Sequence, residues 1–257
     1  MNPSVERILI TNDDGIHAPG LGVLLEVAQS LAEEVWVVAP DNDQSGISHA
    51  LSLHHPLRVS RYGGRRYSVS GTPADCVAMA VCQLMDHPPQ LLLSGINHGA
   101  NLGVETVFSG TVGAAMAGLL LGIPSIALSQ TFTRRETIRW ETARQLAGGV
   151  IRQLLAAGWD STACLNVNFP DVPADQALPM EITSQGTGRM ESLQITGRTD
   201  LREQGYFWLS IDRHDRPDED GTETAVIAKG GISVTPLRFE RTEPGVAEKL
   251  RRQLTEN

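Results

Sequence analysis

The 257-residue chain is 41% hydrophobic and carries a formal charge of −9, which fits a soluble α/β domain with an appendage and argues against a groove that neutralises a nucleic-acid backbone. Its only lysines are Lys229 and Lys249, so a P-loop or Schiff-base lysine in the first 228 residues is excluded and any anionic substrate must be handled by other means. Its apolar runs, such as Met116–Ile123, are too short and glycine-containing to span a membrane, and the Met1–Arg7 segment lacks a signal-like apolar stretch. A cytoplasmic protein is therefore expected. Three cysteines without a CxxC pair (Cys76, Cys82, Cys164) read as buried thiols rather than a disulfide framework.

In chain order, residues 7–11 form an apolar strand that runs into the turn formers NDDGIHAPG. Residues 20–33 have helical periodicity, and the β-branched run Val35–Ala39 is a second strand ending in PDNDQSG. After an extended stretch over 51–70, Pro73 to Met85 reads as a helix with Thr72 as its cap. Leu91–Ser94 is a strand, Gly95–Phe108 a Gly/Asn-rich loop, and Ser109-Gly110-Thr111 opens a helix of small residues over Val112–Leu121. A strand at Ser125–Ser129, an amphipathic helix over Glu136–Ala157 and a strand at Ala163–Phe169 complete the alternation. This is the pattern of a Rossmann-like, mostly parallel sheet with crossover helices.

Beyond Pro170 the alternation fades through 171–205. Tyr206–Ile211 is strand-like, Asp212–Asp220 is a solvated charged turn, Ile232–Leu237 is a last strand and Pro244–Leu254 a closing helix. The expected organisation is an α/β catalytic core over 1–180, an extension with a β-hairpin arm and returning strand over 181–243, and a C-terminal helix over 244–257.

In parallel sheets ligands bind beyond the carboxyl ends of the strands, where this chain places its polar loops. Read alone, Asn12-Asp13-Asp14-Gly15 is a turn and helix cap. Three further polar loops alter that reading: Asp41–Gly46, Ser94–Gly99 and Ser109–Thr111. Oxygen ligands from Asp13, Asp14, Ser45 and Asn97 suit a hard divalent cation, and the amides of Gly110 and Thr111 at a helix start suit a phosphate oxygen. His17, His49 and His98 lie in these loops, each equally readable as structural. GxGxxG, GxSxG, HExxH and a cysteine-phosphatase loop are all missing, which argues against a Rossmann dehydrogenase, a serine hydrolase, a zincin and a cysteine phosphatase.

The segments ITNDDGIHAPG (10–20), VVAPDNDQSG (37–46), SGTPADCV (70–77), LLSGINHGANLG (92–103), FSGTVGAAMAG (108–118) and ISVTPL (232–237) together resemble the survival protein SurE family of metal-dependent 5′/3′-nucleotidases. The resemblance implies hydrolysis of 5′- or 3′-nucleoside monophosphates, with short-chain polyphosphate a further substrate. It implies one Mg, Mn or Ca ion per subunit on Asp13, Asp14, Ser45 and Asn97, and a homodimer or homotetramer that exchanges the C-terminal arm. Phe108 and Gly231 stand where the family commonly has tyrosine. The expected catalytic set is Asn12, Asp13 and Asp14, with Asn12, Ser109, Gly110 and Thr111 on the phosphate. The alternatives are a non-catalytic nucleotide or metal sensor and a phosphatase of another small monoester.

Overall fold

The computed structural model describes residues 5–255 apart from 215, 217 and 218, so part of the charged turn at Asp212–Asp220 lies outside the described residues. β1 (Val5–Thr11), β2 (Ala32–Pro40), β4 (Arg66–Val69), β5 (Leu91–His98), β6 (Ser125–Gln130) and β7 (Cys164–Phe169) form the parallel body of a nine-stranded sheet. The order is β3-β4-β2-β1-β5-β6-β7-β11-β8, with β3 at Val59–Gly63, β8 at Leu178–Ile182 and β11 at Gly231–Leu237. β3 and β11 run antiparallel to their neighbours β4 and β7.

The two-residue period of the strands sorts their side chains into two cores. Ile8 and Ile10 of β1, with Leu91 and Leu93 of β5, meet α1 (Pro19–Gln29) and α4 (Trp140–Ala157) on one face. Leu9 and Leu92 point the other way, toward α2 (Pro73–Met79) and α3 (Gly110–Leu120). These leucines and isoleucines of β1 and β5 are fully buried, each worth roughly 1.5–3 kcal/mol of transfer free energy. This burial from both sides explains why the strands read as unbroken apolar runs.

Several elements differ from the sequence expectation. The helix at Pro73 keeps its Thr72 cap, as a capping box with Asp75, but stops at Met79 and passes into a π-helical turn over Ala80–Leu84. Cys82 on that turn is exposed, whereas Cys76 and Cys164 are buried. β5 continues past Ser94 to His98, because a bulge lets Asn97 and His98 pair with Ser129 and Gln130 of β6. Gly95 is required inside it: φ is +139°, and a Cβ there would sit 2.2 Å from the Leu128 carbonyl oxygen. The loop after β5 also contains a 3₁₀ turn at Gly103–Phe108. α4 begins at Trp140 rather than Glu136, since Ile138 is extended and Asp171, by accepting from the Thr133 amide and pairing with Arg139, ties that segment to the end of β7.

The stretch 171–205, where the alternation fades, is built from strands. It holds β8, an exposed edge strand whose side chains carry no clean alternation, and β9 (Met190–Thr199), which pairs antiparallel with β10 (Gly205–Arg213). A short helix, α5 (Glu223–Ala228), is capped by Thr222 and was invisible to periodicity at six residues. Gly231, beside it, has Val226 Cγ1 2.8 Å from where a Cβ would stand. α6 (Pro244–Thr255) closes the chain and buries no residue.

Candidate active site

The carboxyl end of β1 delivers Asn12, Asp13 and Asp14 into a turn. Asn12 is fully buried, and its side-chain amide donates to the Gly15 carbonyl at 3.0 Å, so its N–H holds the turn together. Its Oδ1 is buried without a hydrogen-bond partner. Asp13 is 3% exposed and Asp14 is half-buried next to it.

The two carboxylates have different partners. Asp13 Oδ1 accepts from the Thr111 hydroxyl at 2.5 Å. Burial pushes the Asp13 carboxyl up to about 6; the Thr111 hydroxyl opposes that rise and the Asp14 charge adds to it. Asp14 accepts from the His98 backbone amide at 3.3 Å, and the His98 ring Nδ1 also contacts it. Of the three loop histidines, His98 alone touches the acidic pair. His17 packs edge-on to Tyr62, and His49 lines a separate cavity with Arg241.

Gly110 packs flat on Asp13. A Cβ at Gly110 would lie 2.8 Å from the Asp13 Cβ and 3.0 Å from its Oδ2. The N-terminus of α3 thus abuts the first carboxylate, and Ser109 caps it by accepting from the Val112 amide at 3.1 Å. Thr111 is fully buried and committed to Asp13.

The loop after β2 is pinned by the Gln44 amide, which donates to the Asp13 carbonyl at 2.7 Å. In it, the Ser45 hydroxyl donates to Asp43 at 2.6 Å, leaving its lone pairs available. Asn97 on β5 donates its amide nitrogen to the Gly99 carbonyl at 2.9 Å, which orients the amide with its oxygen as the spare acceptor. Asp13, Ser45, Asn97 and Ser109 all line one cavity of about 430 Å³, and Asp14 borders the adjacent cavity with Asp43; His98 lines both.

The donor set fits a hard divalent ion. It consists of oxygens, and among the described residues no cationic side chain pairs with the buried Asp13 carboxylate. Among the described residues no group of three or more His, Cys, Asp or Glu side chains is set to hold a metal, so an ion here draws on hydroxyl and amide oxygens as well.

Sequence reasoning missed Arg189 and Arg213, which flank the hairpin and line the same cavity, and Glu105, which binds both. The first lies in the stretch over 171–205 where the alternation fades, and the second in the charged run after Ile211 that reads as a solvated turn. Phe108, half-exposed, and Phe132 complete an aromatic wall.

A family model described as survival protein SurE matches residues 8–192. The chain is 55% identical over 253 residues to the 5′-nucleotidase SurE 1 of Burkholderia lata, covering 98% of both. It is 46% identical over 247 residues to the 5′-nucleotidase SurE of Azorhizobium caulinodans, covering 95% of this chain and 97% of the other. Among solved structures, the SurE protein of Aquifex aeolicus is similar at a TM-score of 0.82 and 35% identity, over 96% of this chain and 99% of that one.

Proposed function

The chain belongs to the survival protein SurE family, and on that premise we propose that it is a divalent-metal-dependent phosphomonoesterase that hydrolyses 5′- and 3′-nucleoside monophosphates to nucleoside and phosphate. The observation that carries this reading is the convergence of Asp13, Ser45, Asn97 and Ser109 on one cavity, with Asp14 beside Asp13.

Asp13, Asp14, Ser45 and Asn97 would hold one Mg, Mn or Ca ion per subunit. When bound, such an ion supplies Lewis-acid polarisation of the phosphate and the positive charge that the acidic pair lacks. Thr111 fixes the Asp13 carboxylate, and His98 fixes that of Asp14. The Ser109 oxygen already accepts from the helix, so its own proton is free to donate to a phosphate oxygen, with the Gly110 amide and the α3 dipole behind it. One N–H of the Asn12 amide is bound to Gly15 and shapes the turn that aims both carboxylates, and its second N–H is assigned to a phosphate oxygen. A water attacks phosphorus in line, the bond to the nucleoside oxygen breaks, and the proton that the water gives up ends on that leaving oxygen, yielding nucleoside and inorganic phosphate.

The hairpin of β9 and β10 is the arm that we assign to subunit exchange in a homodimer or homotetramer. Its register puts Leu193, Ile195, Phe207, Leu209 and Ile211 on one face, with Phe207 75% and Leu209 65% exposed. An apolar face of that kind calls for a partner surface. Free thiols at Cys76, Cys82 and Cys164 support a cytoplasmic setting, and among the described residues no helix is long and apolar enough to cross a membrane.

Phosphate release from 5′-AMP with Mn²⁺ or Mg²⁺, repeated with EDTA, tests the reading. Metal-dependent release is expected; no release from AMP, GMP or their 3′ isomers would refute it.

A further inference from the structure

A phosphate dianion entering this cavity meets the acidic side chains of Asp13 and Glu105 on a chain of net charge −9 with no lysine before Lys229. The arginines that line the cavity are Arg189 and Arg213. Arg213 is neutralised, because its Nε donates to Glu105 Oε2 at 2.7 Å. Arg189 is different. Its backbone amide donates to Glu105 Oε1 at 3.1 Å, but its side-chain Nε is buried with no hydrogen-bond partner, and among the described residues no acid pairs with its guanidinium. Buried donors are almost always paired, and a guanidinium fork matches phosphate oxygens.

The segment carrying Arg189 is also held in place. Glu223, fully buried on α5, accepts from the amides of Gly103 at 2.5 Å and Gly186 at 2.8 Å, joining the loop before α3 to the root of the hairpin. Gln185 adds bonds to the Gly103 carbonyl at 2.8 Å and the Thr106 hydroxyl at 2.9 Å. Gly103 and Gly188 meet backbone to backbone, with no room for a Cβ at Gly103: the Gly188 nitrogen would be 2.1 Å from it. A buried carboxylate spent on two backbone amides is a costly device for a plain surface loop, and it fixes Arg189 at the cavity wall.

We propose that Arg189 is a phosphate-binding residue of this site, its guanidinium taking an oxygen of the substrate phosphate, and that Glu223 and Glu105 are positioning residues for it. The inference rests on the nucleotidase reading above. In the full-length protein with Mn²⁺, Arg189→Gln should raise the KM for 5′-AMP and the inhibition constant of inorganic phosphate roughly tenfold or more, while inhibition by adenosine stays unchanged. Arg189→Lys should fall between the two, and decides the matter alone if the glutamine variant does not fold. KM and phosphate inhibition within twofold of the parent would overturn the proposal, as would equal weakening of phosphate and adenosine. If the parent protein releases no phosphate at all, the nucleotidase reading fails instead. Calorimetric titration of the Mn²⁺-loaded parent and variant with inorganic phosphate then still decides the role of Arg189: equal affinity sinks it, and weaker binding by the variant upholds it.

Discussion

Thr111 gives Asp13 its hydroxyl, at 2.5 Å, so the first turn of α3 is fastened to the carboxylate at the end of β1. This donor favours the ionised carboxylate, the form a metal needs. Thr111→Val keeps the shape of the side chain and removes that bond. Metal affinity, read by Mn²⁺ titration, should fall about 10–100-fold with the fold retained, which is the usual consequence of losing an outer hydrogen bond to a ligand. Unchanged affinity would mean that the hydroxyl does not hold the ligand.

Asp14→Asn should abolish metal-dependent phosphate release while circular dichroism stays that of the parent. Retained release would remove Asp14 from the ligand set.

The Asp13 carboxyl, raised by burial from 3.8 to about 6, makes metal-free stability depend on pH. Between those values the folded state holds a proton that the unfolded state has released. The favourable contribution is therefore fully present below about 3.8 and lost as pH rises through about 6. The gap corresponds to about 3 kcal/mol. Without metal, Asp13→Asn should melt at a higher temperature than the parent at pH 8 and at nearly the same temperature at pH 4. Adding Mn²⁺ should stabilise the parent alone. A variant less stable than the metal-free parent at pH 8 would contradict this.

Gly110 leaves no room for a methyl group against Asp13. Gly110→Ala should displace that carboxylate and cost about 1–3 kcal/mol of stability in thermal or denaturant unfolding, with a clear loss of metal affinity. Normal metal binding would show that α3 can shift without disturbing the site.

The exposed apolar face of the hairpin bears on assembly. Phe207→Asp with Leu209→Asp should convert an oligomer to smaller species in light scattering, with α/β circular dichroism preserved. An oligomer that survives both charges would place the subunit contact elsewhere.

The residues alone determined the layered sheet, because apolar strands of the right length, separated by helical periods, have one economical way to bury both faces. They also marked the acidic pair and the loops at Ser45, Asn97 and Ser109, since such polar turns follow apolar strands where a parallel sheet opens. Short elements escaped: α5 has six residues, β8 has no alternation, and β5 continues past a glycine bulge that reads as a loop. What only the tertiary structure decided are pairings across long stretches of chain. Thr111 reaches Asp13 over 98 residues and Glu223 reaches Gly103 over 120. Local patterns carry no record of such distances, because packing of the complete sheet sets them. For that reason the Thr111 hydroxyl comes to lie on Asp13 and one Asn12 amide N–H on Gly15, and Arg189 reaches the cavity from the stretch after Pro170 where the alternation fades.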